Sequence, residues 1–252
     1  MLKTGLTSIT FRPLSVDEII ALTKECGIDG IEWGGDVHAK PGELALAKEI
    51  KAKTKAAGLA IPSYGSYYRC NAESGTFEDT LATAQALGAP VIRVWAGEKG
   101  SADAFMEERA EVVISLQKAV DAAKAVGVTV ALEYHGGTLT DTQESAHQLL
   151  AEVGRPELKL YWQPRTGGTF EGDIPELKAA LPHMAHVHCF HWGPAGWKDR
   201  HPLADGVEPW TEYLKIIREA DGDRYIIFEF VKGDQPDQLR DDAKTLHALI
   251  NS

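Results

Sequence analysis

The chain lacks an N-terminal segment of the secretory kind: MLKTGLTSITF has no positively charged head followed by a sustained apolar run. No later stretch approaches the roughly 18 apolar residues that suggest a membrane span, so a cytoplasmic protein with no membrane attachment is expected. Positive charge is in deficit, with a formal net charge of −11 at pH 7. Such a surface repels an anionic polymer, which speaks against nucleic acid as a partner. Cysteine is scarce. Cys26, Cys70 and Cys189 are odd in number and far apart, which argues against a disulfide framework or a thiolate zinc cluster and fits a reducing compartment. Cys26 and Cys70 are expected to act as small buried hydrophobes. No Ser/Pro-rich linker, charge block or self-similar repeat divides the chain, so one domain over residues 1–252 is expected.

What is present is an alternation. Short β-branched apolar runs, at 3–11, 30–33, 59–64, 91–95, 128–135, 158–163, 184–190 and 225–231, are separated by stretches of helical period. That pattern belongs to parallel strands joined by crossover helices. The first helix should open with a capping box, Ser15 at the cap and Glu18 three residues on. Gly27, Gly58, Gly88 and Gly127 stand where helices should end before the next strand. Eight such units in 252 residues predict an α/β fold of the (β/α)8 barrel type, which takes about 250 residues. A doubly wound sheet would carry a Gly-rich phosphate turn after its first strand, and SITFRPLS has no glycine.

In a barrel of parallel strands, polar residues late in a strand and facing inward are functional candidates. Period-two alternation in VTVALEYH puts Thr129, Ala131, Glu133 and His135 on one face. The next strands offer Gln163 in LKLYWQP, His188 with His186 in MAHVHCFHW, and Glu229 in YIIFEFV. A carboxylate inside an apolar strand is costly unless paired or metal-bound. Glu133, Gln163, His188 and Glu229 together supply three oxygens and a nitrogen, a set suited to one divalent ion. Mn²⁺ is favoured, with Mg²⁺, Co²⁺, Zn²⁺ and Fe²⁺ open. Such an ion would hold a carbonyl and an adjacent hydroxyl and act as a Lewis acid.

With these residues in place, the chain resembles the xylose isomerase-like sugar phosphate isomerase/epimerase superfamily of TIM barrels. GIDGIEWGGDVH, LEYHGGTLTDT, HVHCF and HPLADGVEPW carry the likeness in order. RVWAGEKGSAD followed by LEYHGGTLTDT is also similar to bacterial 3-dehydroshikimate dehydratases within it. The resemblance implies metal ligands at Glu133, His188 and Glu229, and an acid/base pair in the two glutamates. Gln163 stands where the family has Asp, which removes one unit of ligand charge, and Thr166 stands where it often has His.

Other rim candidates are His135 as an acid or base, with Arg93 and Lys99 toward substrate oxygens or an anion. Trp33, His38, Tyr64 and Trp192 are candidates for an aromatic wall, and Arg165, Lys198, Arg200 and His201 for an anion site. The first functional reading is a metal-dependent isomerase or epimerase of a keto sugar or polyol ketone. In it one glutamate removes the proton next to the carbonyl and the other returns it. The alternative is a dehydratase of the 3-dehydroshikimate or inosose type, which shares the first step. A non-catalytic sugar-binding barrel is the third, and the superfamily's endonuclease branch is disfavoured by the charge of −11. A homo-oligomer is compatible with each reading.

Overall fold

Apolar residues that recur every second position must find cover on both faces of a parallel sheet, and the chain meets this by closing the sheet on itself. The computed structural model describes residues 1–252, the side chain of Ala72 excepted. The barrel strands are β1 (Leu2–Thr7), β2 (Gly30–Gly34), β3 (Tyr64–Gly65), β4 (Val91–Val94), β5 (Thr129–Glu133), β6 (Lys159–Trp162), β7 (Met184–Cys189) and β10 (Arg224–Phe228). They form a closed parallel barrel in which β1 pairs with both β10 and β2. A two-stranded antiparallel ribbon, β8 (His191–Trp192) with β9 (Arg200–His201), stands after β7.

The helices α1 (Val16–Glu25), α2 (Leu44–Ala56), α3 (Phe77–Leu87), α4 (Met106–Ala125), α5 (Gln143–Val153), α6 (Phe170–Ala180), α7 (Val207–Ile217) and α8 (Pro236–Asn251) alternate with the barrel strands. The Ser15–Glu18 capping box forms at α1, with Glu18 accepting the Ser15 backbone N–H at 2.7 Å. Gly88 ends α3 at φ +70°, in the left-handed region that costs a residue with a Cβ.

Most strands are shorter than the sequence suggests, and for two of them the local cause is plain. β1 stops at Thr7, because Ser8–Phe11 winds into a buried 3-10 turn whose Ser8 hydroxyl takes the Gly34 N–H at 2.8 Å. The third apolar run pairs as a strand only at Tyr64–Gly65, with one isolated bridge between Gly30 and Ala60. Pro62 lies between them and has no N–H for the ladder.

Parity along the strands sorts side chains into two buried layers. Ile31, Trp33, Tyr64, Ile92, Leu132, Trp162 and Phe228 join the large cluster with the helices. Val91, Ala131, Tyr161 and Ile227 form a separate plug. Above that plug, at the C-terminal ends of the strands, stand Glu32, Arg93, Glu133, Gln163, His188 and Glu229, all buried.

Trp33 illustrates the sorting. It is fully buried, and its indole N–H donates to Thr54 of α2 at 3.2 Å. Trp33→Ala should therefore cost about 3–5 kcal/mol of stability, as large-to-small core changes do. Urea denaturation reads this directly. A loss below about 1 kcal/mol, the scale of an ordinary surface change, would place the indole outside the core.

Candidate active site and metal centre

Closure of the barrel brings together residues far apart in sequence. Glu133 is the last residue of β5, Gln163 and Glu229 each follow the last residue of β6 and β10, and His188 lies in β7. Their polar atoms converge on one nitrogen. His188 Nδ1 lies 3.0 Å from Gln163 Oε1, 3.5 Å from Glu133 Oε1 and 3.6 Å from Glu229 Oε2. Glu133, His188 and Glu229 form a buried group able to hold a metal ion, their ligand atoms all within 4.8 Å of one another. Gln163 Oε1 joins the same cluster. The donor set of two carboxylates, an amide oxygen and an imidazole fits a divalent ion that accepts oxygen and nitrogen together.

The two glutamates are supported unequally. Glu133 Oε2 accepts hydrogen bonds from Arg93 Nη1 at 2.8 Å and from the Trp95 indole at 2.5 Å. Burial works against its ionised form, but the Arg93 charge and His188 win, and the carboxyl is held below its ordinary range. Glu229 holds no such hydrogen bond among the described residues. Burial raises its affinity for a proton, His188 opposes this, and the charge of Glu133 adds to it, so the group sits above the usual carboxylate range. For His188, burial favours the neutral ring, yet Glu229, Glu133 and Glu32 outweigh it and push the imidazole up to about 10.

Glu32 was not among the residues expected from sequence. It is fully buried on β2 and reaches across the lumen, with Oε1 3.3 Å from His188 Nε2 and 4.0 Å from Arg93 Nε. Its Oε2 accepts the hydroxyls of Ser63 at 2.7 Å and Tyr161 at 3.0 Å. Burial disfavours its charge, but the His188 hydrogen bond and the His188 and Arg93 charges bring it down to about 2. The signal that picked out Glu133 and Glu229, a carboxylate inside an apolar strand, is present in GIEWG as well.

Glu133, Gln163 and Glu229 form part of the wall of a cavity of about 530 Å³, which Arg93, Trp95, His135, Arg165, Thr166 and Trp192 also line. His135 packs its ring on Trp95 with centroids 4.6 Å apart, and its Nδ1 faces the Gly136 carbonyl at 2.6 Å. Sequence reading missed Arg12, Tyr67, Trp197 and Phe230, which complete the wall from loops.

Several expected site residues stand elsewhere. The aromatic wall is corrected: Trp33 points to the helix layer, and Tyr64, its partner across the ladder, donates to the Ala39 carbonyl at 2.8 Å. His38 is buried between the Ser8 hydroxyl and the Leu14 carbonyl, each at 2.9 Å. Lys99 pairs with Glu108 at 2.5 Å and lines a separate recess of about 300 Å³. The four-residue anion site does not assemble. Arg165 lines the cavity but pairs with Glu176, and Arg200 pairs with Asp234. His201 pairs with Asp199 at 3.0 Å, and Lys198 lies over the Trp197 ring.

A family pattern decides the kinship: that of the xylose isomerase-like TIM barrels matches residues 20–249. The chain belongs to this family. It is 27% identical to a 3-dehydroshikimate dehydratase of Bacillus anthracis, over 97% of this chain and 96% of that protein. Among solved structures it resembles the probable 3-DHS dehydratase AsbF of Bacillus anthracis, with a TM-score of 0.82, 24% identity, and 97% and 98% of the two chains covered. It also resembles a D-allulose 3-epimerase from Methylomonas sp., with a TM-score of 0.70, 19% identity, and 98% and 97% covered. At these identities the structural likenesses carry the fold of a xylose isomerase-like barrel. No helix among the described residues is long and apolar enough to cross a membrane.

Two outcomes follow for the metal centre. Glu133→Gln and Glu229→Gln should each abolish tight Mn²⁺ binding in titration calorimetry, whereas Gln163→Asp, by adding ligand charge, should tighten it. Equal metal content in wild type and both glutamine variants would exclude the site. Because the His188 imidazole is raised to about 10, it still holds its extra proton at pH 8 in the metal-free protein. Binding at Nδ1 must displace that proton, so affinity should fall as pH falls, and about one proton should be released per ion at pH 8. Calorimetry in two buffers of different ionisation enthalpy reads this number; no proton release would mean that the ring is already neutral at pH 8 in the metal-free protein.

Proposed function

We propose that this chain is a divalent-metal-dependent enzyme that removes a proton from the carbon next to the carbonyl of a small polyhydroxylated ketone, and that the step ends in loss of water. The observation that carries the reading is the unequal support of the two glutamates. Epimerisation needs two bases that exchange roles on opposite faces of one carbon. Here Glu133 is tied by Arg93 and Trp95 through Oε2, whereas Glu229 holds no such hydrogen bond among the described residues. One free base and one proton donor suffice for elimination.

The cavity of about 530 Å³ suits a small metabolite. Glu133, Gln163, His188 and Glu229 would hold the ion, Mn²⁺ being favoured and Mg²⁺, Co²⁺, Zn²⁺ or Fe²⁺ open. When bound, it polarises the substrate carbonyl and stabilises negative charge on its oxygen. Arg93 lines the cavity beside Glu133, and its positive charge there favours a substrate oxygen as negative charge develops on it. Glu229 takes the α-proton, the C–H electron pair becomes the new C=C bond, and the β C–O bond breaks. His135 lines the cavity with its Nδ1–H donated to the Gly136 carbonyl, so Nε2 is the nitrogen that takes up a proton from solvent and, from the resulting imidazolium, delivers it to the hydroxyl that leaves as water. The whole-length similarity to a 3-dehydroshikimate dehydratase supports this outcome.

Epimerisation of a keto sugar is the second reading, favoured by the presence of both glutamates at one rim and by the likeness to a ketose 3-epimerase. Incubation with Mn²⁺ in deuterated water separates the two. We expect 3-dehydroshikimate or an inosose to give a conjugated, ultraviolet-absorbing product lighter by one water, and chelation or Glu229→Gln to stop it. An epimerase would instead return an isomeric keto sugar carrying deuterium next to the carbonyl. Silence toward all of these substrates with metal bound would overturn both and leave the sugar-binding barrel.

A further inference from the structure

We propose that Glu32 is a positioning residue that fixes the tautomer of His188, holding the ring proton on Nε2 and leaving Nδ1 as the nitrogen that binds the ion. The inference rests on the metal reading above and concerns a residue outside the ligand set. An imidazole that ligates a metal has a single proton left, and it must sit on the other nitrogen. On the Nε2 side of His188 stands the Glu32 carboxylate, an acceptor with no proton to give, at 3.3 Å. On the Nδ1 side stand Gln163, Glu133 and Glu229. The ring is therefore oriented from both edges, and only one tautomer presents a lone pair to the cluster while meeting an acceptor behind it.

Glu32 is itself held for this task. β2 and β7 are not neighbours, since β1 and β10 lie between them, so the carboxylate spans the lumen. Its second oxygen is engaged by Ser63 and Tyr161, so Oε1 stays aimed at His188. Space for the crossing comes from Gly65: a Cβ there would lie 2.9 Å from Glu32 Oε1 and 3.1 Å from Arg93 Nη2. Tyr161 also sets the edge of its ring against His188, with centroids 5.1 Å apart. A carboxylate behind a ligating imidazole raises its basicity, and loss of such a partner typically weakens metal binding by about 10–100-fold.

Mn²⁺ titration of the full-length protein, with circular dichroism in chelator as the control for folding, tests the assignment. Glu32→Gln keeps the size of the side chain and removes the charge, and should weaken Mn²⁺ binding about 10–100-fold. Tyr161→Phe removes one donor from Oε2 but leaves Oε1 on His188, and should keep an affinity near that of wild type. A crystal structure of Mn²⁺-loaded wild type needs no variant to fold; it should show Nδ1 on the ion and Nε2 within hydrogen-bond distance of Glu32. Ligation through Nε2, or a folded Glu32→Gln with wild-type affinity while Glu133→Gln binds nothing, would overturn the role of Glu32 and leave the metal site standing. Failure of wild type itself to bind would remove the metal reading, and this inference with it.

Discussion

The structure depends on a charge cluster enclosed by its own strands. Three carboxylates, an arginine and a histidine are buried within one barrel, and removing such groups from water costs several kcal/mol each unless they compensate one another. Here they do so around His188, whose two nitrogens face Glu32 on one side and Glu133, Glu229 and Gln163 on the other. Arg93 lies between Glu32 and Glu133, 4.0 Å and 2.8 Å away. Substitution at any of these positions changes the charge felt by all the others. A cluster of this kind is poised for a divalent cation, which would add positive charge where carboxylates already crowd.

The barrel supplies the crowding and the loops supply the mouth. Glu229 follows the end of β10, and Phe230 after it takes φ +55°, an uncommon conformation for a residue with a side chain. Its N–H donates to the Thr10 hydroxyl at 3.1 Å, which ties this turn to the 3-10 segment after β1. Phe230 then lies beneath two guanidinium groups, Arg12 at 5.5 Å and Arg200 at 4.4 Å from the ring centroid. The wall is thus aromatic and cationic at once, with most of its cations already paired to carboxylates of their own. Such a wall can stack a ring and orient hydroxyls without presenting a strong net positive field.

The asymmetry between Glu133 and Glu229 links this architecture to chemistry. Arg93 and Trp95 come from β4 and the residue after it, so the neighbour of β5 in the barrel holds Glu133. Glu229, across the cluster just past β10, has no equivalent arm among the described residues. Two carboxylates of the same type at the same rim thereby acquire different proton affinities from their neighbours alone, the general route by which acid and base roles are divided.

The sequence alone determined the eight-fold βα alternation, the inward parity of β5, β6, β7 and β10, and hence Glu133, Gln163, His188 and Glu229 as a group. Those strands are regular enough for period-two reasoning, and a carboxylate in an apolar run must be paired or metal-bound to offset its burial. The parity of β2 was not legible. Trp33 and Glu32 are adjacent, one must face the helices and the other the lumen, and a tryptophan suits either place; only barrel closure, with Thr54 behind one and His188 before the other, decided it. Pairing of Lys99, Arg165 and Arg200 with nearby carboxylates, and the loop-borne wall of Arg12, Tyr67, Trp197 and Phe230, likewise came from tertiary structure. Loops carry no periodicity, so what their side chains meet is set by the ends of the strands that hold them.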